Sequence, residues 1–462
     1  MLFHTQLFLL VFLPLVLVGY YFGARHRAFR SWLLIAASLI FYGYWDLRLL
    51  PLLVGSIIAN WMFARYHQRI GGVLLVTLGV TLNLVVLGVF KYADFFADTL
   101  AMLSGSAHER WNIILPLGIS FFTFQQISYL VDLKRGKAAL YTFTEYALYV
   151  SFFPQLIAGP IVRHGEIIYQ YARDPLRSGL YERLCKGLLL LLFGLFKKSV
   201  LADEMADIAD PLFQSAADGT ALSIAESWVA TAAFGLQIYF DFSAYSDMAI
   251  GLALLFGLSL PINFDAPYRA VSIRDFWRRW HMTLSRFLRD YLYIPLGGSR
   301  VGPWRQLATL MITMLLGGLW HGAAWTFVLW GGLHGAALAV NHAWERAGHT
   351  LPRHLAQLLT LLFVTLAWVP FRATDFTTAW DIYASLFALA QVPLTAAQEY
   401  SGDPELILVA AAFALLGPTS QRLALELARP RLLVAVGAGI GYAAMLLAVG
   451  GWHSREFIYF QF

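Results

Sequence analysis

Apolar runs of nearly bilayer length recur along the whole chain, at residues 7–22, 32–44, 49–63, 73–90, 113–131, 139–157, 187–196, 228–240, 244–260, 307–319, 323–340, 355–369, 406–416 and 432–449. A helix needs about 20 mostly apolar residues to cross the hydrocarbon core, where every backbone polar group must be satisfied within the segment. The pattern therefore predicts an all-α polytopic membrane protein with roughly 11 to 13 transmembrane or re-entrant helices. Composition agrees, because 59% of the 462 residues are hydrophobic and only 13% are charged, more apolar surface than a soluble core can hide. With no repeat, low-complexity tract or flexible linker to detach a soluble domain, residues 1–462 are expected to form a single membrane domain.

Short basic clusters suggest an orientation. Arg25, Arg27 and Arg30 follow the first run, and further clusters sit at Arg65 and Arg69 and at Lys134, Arg135 and Lys137. Placing these loops in the cytoplasm puts the N-terminus outside, with Lys91 and Asp94 also outside. The first run lacks a basic leader and a small-residue cleavage site, so it reads as a first span rather than a signal peptide. The 197–222 loop, rich in acidic residues, is expected outside as well. A net charge of +5 is scattered over short loops, which excludes nucleic acid as the reading and leaves membrane lipids as the partner of these cations. The single cysteine, Cys185, excludes an internal disulfide and a multi-cysteine metal site.

The polar interruption at 268–305 carries a helix signal. Ser272 with Asp275 three positions later makes a capping-box start, and Ile273, Phe276, Trp277, Trp280, Leu284, Phe287, Leu288 and Tyr291 then fall at helical spacing. Arg274, Arg278, Arg279, Arg286 and Arg289 lie largely off that stripe, so a basic amphipathic helix on the cytoplasmic face is predicted until Pro295, Gly297 and Gly298 end it. Such a helix either anchors on lipid headgroups or offers its arginines to an anionic ligand.

Two imidazoles form the candidate active site. His281 sits at the edge of that apolar stripe, and His321 lies within Gly317, Gly318, Trp320, His321 and Gly322, in an almost uncharged stretch. A proton-exchanging ring in such surroundings costs free energy, which makes it a functional candidate, although a hydrogen-bonded core histidine is the plainer alternative. Their forty-residue separation has no metal-ligand spacing, and no metal is expected. Asp241 and Asp247 interrupt an apolar stretch and are read as holding helices together through hydroxyls or an arginine. Gln125 and Gln126 are read as lining a broken helix beside the site. His334 is placed behind the site, whereas His164, His342, His349 and His354 fall in polar loops and are expected to be solvated. A secondary transporter would also place histidines in a membrane, but it should show paired repeats, and none is visible.

Several segments, in order, resemble the membrane-bound O-acyltransferase (MBOAT) superfamily and, within it, the bacterial alginate O-acetylase-like branch. They are FKYADFF (90–96), LPLGISFFTFQQISYLVD (115–132), FFPQLIAGPIVR (152–163), FDFSAYSDMAIGL (240–252), the two histidine segments RRWH and WHG, and the terminal FIYFQF (457–462). The resemblance implies helices around a central acyl-transfer chamber, with His321 as the catalytic residue and His281 as its partner. It implies no tightly bound cofactor, an acyl-CoA donor such as acetyl-CoA, and transfer toward an extracytoplasmic polysaccharide such as alginate through a partner acetyltransferase protein, in a bacterial inner membrane. D-alanyl transfer to another envelope polymer is the rival implication. Trp320, Trp277, Arg278, Arg279, Arg286, Gln125 and Gln126 are the expected substrate-binding residues. The region after Arg372 matches least.

Overall fold

A computed structural model describes residues 1–389, 403, 405–429, 431–451 and 455–460. Among the described residues every regular element is a helix. Among the described residues, four helical stretches are long and apolar enough to cross a membrane: Leu47–Ile70, Val73–Ser104, Ile224–Leu255 and Arg353–Arg372. Phe8–Phe22, Glu405–Leu415 and Leu433–Leu447 are apolar but shorter. The expected 11 to 13 crossings included shorter runs and counted 228–240 and 244–260 separately, where the chain forms one helix of 32 residues.

Burial separates two kinds of apolar helix. Only 22% of the most apolar part of Val73–Ser104 is buried, against 94% for Ile224–Leu255. An apolar surface left outside in this way suits lipid as the solvent, since no soluble protein tolerates it over such an area.

The chain divides into two compact units. The first comprises 1–195, 245–262 and 424–456, the second 196–244, 263–423 and 457–462. In the first unit, Asn60 and Asn83 exchange side-chain hydrogen bonds of 3.3 and 2.6 Å between neighbouring helices, the polar glue expected where no hydrophobic effect drives helices together. His164 is a correction. Expected to be solvated, it is buried, with Nδ1 2.9 Å from the Tyr141 hydroxyl and Nε2 3.4 Å from Asp132.

The second unit holds both candidate histidines, and six of its helices matter here: α1 (Ile224–Leu255, which belongs to this unit as far as Ala244), α2 (Ile273–Arg279), α3 (Met282–Leu288), α4 (Pro303–His321), α5 (Trp325–Arg346) and α6 (Arg353–Arg372). α1 starts at Ser223, whose hydroxyl accepts the Glu226 N–H at 3.2 Å while the Glu226 carboxylate accepts the Ser223 N–H at 2.7 Å, a reciprocal cap. The 197–222 segment, expected as a loop, is helical over Asp203–Ala217. Asp203 and Glu204 complement the positive end of that helix, and Asp210 pairs with Arg372 at 2.9 Å.

α4 and α5 form a tight hairpin because glycine removes the side chains between them. A Cβ on Gly318 would lie 2.2 Å from the Phe327 carbonyl oxygen, and one on Gly331 2.3 Å from that of Met314. Close backbone approach of this kind is the membrane solution to helix packing.

Candidate active site

Ser272 caps α2 as its sequence predicts, its hydroxyl accepting the Asp275 N–H at 3.1 Å. The amphipathic stretch does not continue as one helix. Trp280 is extended, His281 takes a left-handed conformation at φ 41°, and α3 starts only at Met282. A non-glycine residue at positive φ stores strain that the surroundings must impose. The segment 263–265 imposes it. The Met282 N–H donates to the Asn263 carbonyl at 2.9 Å and the Asp265 N–H to the Arg279 carbonyl at 2.9 Å, so the break is clamped on both sides.

The Asn263 side chain completes the clamp. Its Oδ1 accepts from Thr283 N at 3.2 Å and Thr283 Oγ1 at 2.8 Å, and lies 3.1 Å from His281 Nδ1. An oxygen already accepting two hydrogen bonds cannot donate, so Nδ1 of His281 carries the proton and Nε2 carries the lone pair. The ring is fully buried, which pushes its pKa down to about 3. His281 is therefore a neutral imidazole at ordinary pH, suited to orienting a neighbour rather than to supplying positive charge.

His321 is the last residue of α4 and is 4% exposed. Its ring lies 6.3 Å from that of His281, centroid to centroid, with the planes at 58°. Aromatic rings surround the pair. Trp320, Trp330 and Phe371 stand 5.0, 5.1 and 5.4 Å from His321, all edge to face. Phe242 of α1 meets His281 at 4.7 Å and 88°, and Trp320 lies 6.0 Å from it. Two proton-exchanging rings with apolar walls make a site that can move a proton while excluding water.

Of the expected substrate-binding residues, Trp320 belongs to this cluster. Trp277 instead donates its Nε1–H to Nδ1 of His334 at 3.2 Å, tying α2 to α5. Arg279 is engaged by Asp275 at 3.0 Å and Arg274 by Glu345 at 2.7 Å. Arg278 is exposed and Arg286 half-buried. Gln125 and Gln126 lie in the first unit, where Gln126 donates to Ser56 at 2.8 Å and accepts from Tyr146 at 3.2 Å. Asn263, Phe242, Trp330 and Phe371 were missed as site residues. Nothing in the local sequence marks Asn263, because its role depends on a partner 18 positions away.

Comparison with known proteins supplies the chemistry. Residues 65–369, which include both histidines, match the MBOAT, membrane-bound O-acyltransferase family. The chain belongs to the membrane-bound O-acyltransferase family. It is 43% identical to a peptidoglycan O-acetyltransferase of Helicobacter pylori, over 85% of this chain and 81% of that protein. It is 40% identical to a probable alginate O-acetylase AlgI of Azotobacter vinelandii, over 86% and 80%. A teichoic acid D-alanyltransferase of Streptococcus thermophilus is 30% identical over 51% of this chain and 59% of that protein. This membrane-bound O-acyltransferase is thus a membrane enzyme.

Proposed function

We propose that the enzyme moves an acetyl group from a cytoplasmic thioester, acetyl-CoA, toward a hydroxyl of an extracytoplasmic cell-envelope polysaccharide such as alginate, with a partner acetyltransferase protein completing delivery outside. Two relatives at 40 to 43% identity, each matching more than four fifths of this chain, are named for O-acetyl transfer, whereas two named for D-alanyl transfer are less alike, at 30% identity over 51% of it and 25% over 73%. That contrast favours acetyl over D-alanyl. The setting of this reading is a bacterial inner membrane, in which the basic loops place the N-terminus outside.

His321 is the general base. It takes the acceptor hydroxyl's proton as the oxygen attacks the thioester carbonyl, and it returns that proton to the sulfur as the C–S bond breaks. His281, neutral and locked by Asn263, presents its Nε2 lone pair as the orienting partner. The aromatic walls keep water from hydrolysing the thioester. Arg278 and Arg286 attract the phosphates of the donor. The observation that carries this reading is the pairing of a tautomer-locked His281 with His321 at 6.3 Å in an aromatic enclosure.

The test is acyl transfer by purified protein, followed as thiol release, with acetyl-CoA set against a D-alanyl thioester. Preference for acetyl-CoA is expected. Preference for the D-alanyl donor would replace the acetyl assignment.

A further inference from the structure

The second unit buries another charged group that this mechanism leaves unused. Asp241 lies in α1 with its side chain 3% exposed, and its Oδ1 accepts from Lys198 Nζ at 2.7 Å. Lys198 also reaches Asp203 at 2.9 Å. The sequence predicts a hydroxyl or arginine partner for Asp241; the structure supplies a lysine from 43 positions away. A carboxylate buried this deeply is costly unless a counter-charge and further hydrogen bonds satisfy it.

The 457–460 segment satisfies it. Oδ2 of Asp241 accepts the main-chain N–H of Ile458 at 2.7 Å, and the Lys198 ammonium stands 4.7 Å from the centre of the Phe457 ring. The next residue of α1 is Phe242, whose ring abuts His281 at 4.7 Å. Neighbours on a helix point about 100° apart, so one face of this turn holds the 457–460 segment while the adjacent face meets His281. A shift of that turn moves both.

We infer that Asp241 is a positioning residue for acyl transfer: anchored by Lys198 and Ile458, it holds Phe242 against His281, and attachment of the 457–460 segment sets turnover. This rests on the assignment of His281 and His321 given above. A group that acts through geometry affects the chemical step rather than donor binding.

Ile458→Pro removes the N–H that Asp241 accepts and also replaces a buried side chain. Ile458 opens a short helix, where proline's φ is tolerated, and Ile458→Ala keeps the N–H. The expected result is a fall in kcat of about tenfold for the proline variant at unchanged KM for acetyl-CoA, with the alanine variant near wild type, because hydrogen bonds to charged groups are the stronger kind. Asp241→Asn keeps the shape but weakens the acceptor, and it serves if the proline variant does not insert; it should lower kcat about threefold, again at unchanged KM. Wild-type kcat in folded Ile458→Pro or Asp241→Asn, or equal losses in the proline and alanine variants, overturns the positioning role. His321→Ala assayed alongside separates the two ideas: if it is inactive while Ile458→Pro is normal, only the positioning role fails, and if it is active, the histidine assignment itself fails.

Discussion

Replacing Asn263 by alanine should disable the enzyme through His281 without touching either imidazole. Three donors converge on Asn263 Oδ1, at 2.8, 3.1 and 3.2 Å, and all three belong to buried residues. Each buried donor left without an acceptor costs about 1 to 3 kcal/mol, and the left-handed His281 already stores about 1 kcal/mol or more that the clamp must hold. Rotation of His281 out of its conformer relieves part of this cost, so the loss should divide between stability and site geometry. We expect about 2 to 4 kcal/mol lower stability and, among molecules that remain folded, at least about a tenfold loss of kcat, since misplacing a catalytic ring is expensive. The assay is thiol release normalised to monodisperse protein in detergent, with thermal unfolding measured in parallel. Asn263→Asp keeps an acceptor in place and should retain the fold, while its carboxylate raises the basicity of His281 and alters the pH profile. Wild-type kcat in folded Asn263→Ala would refute the orienting role of His281.

The other predictions concern pH, charge and topology. His281 has a pKa near 3 when folded and about 6.5 when unfolded, so the unfolded chain binds the extra proton. The contribution of His281 to stability should therefore be flat above about pH 7 and fall as pH drops from about 6.5 toward 3, by up to about 1.4 kcal/mol per unit; denaturation across that range should show a shallower slope in His281→Gln. Charge reversal at the exposed Arg278 should raise KM for acetyl-CoA about two- to fivefold, the scale of exposed ion pairs, whereas reversal of Arg279, which is paired with Asp275, should lower protein abundance instead; Michaelis constants and yields of matched variants distinguish these. In a Cys185→Ser background, a cysteine at position 135 should resist an impermeant reagent added outside intact cells, as a cytoplasmic loop requires.

What the sequence reveals here is what local patterns can carry. Membrane class follows from apolar runs, the start of α2 from Ser272 and Asp275, and the candidate site from two histidines among tryptophans and glycines. Long-range partners decide the rest. The helical spacing of 273–291 predicts one helix, but Asn263 and Asp265 grip the backbone at Met282 and Arg279 and break it at His281. The polar residues of 241–247 look like the end of a span, yet Lys198 neutralises Asp241 and α1 runs on. His164 lies in a polar stretch that suggests solvent, and Tyr141 and Asp132 draw it inside. In each case an apolar environment rewards a polar partner found only in three dimensions.

Acyl transfer per folded molecule of His321→Ala tests the central claim most directly. A general base supplies about 10² to 10⁴ in rate, and behind the walls of Trp320, Trp330 and Phe371 no water readily replaces it. The account predicts loss of at least about a hundredfold in thiol release from acetyl-CoA, with insertion and monodispersity retained. A merely packed histidine would cost about 1 to 3 kcal/mol of stability and leave the folded molecules turning over. Wild-type rates in correctly inserted His321→Ala would contradict the catalytic role assigned to this ring.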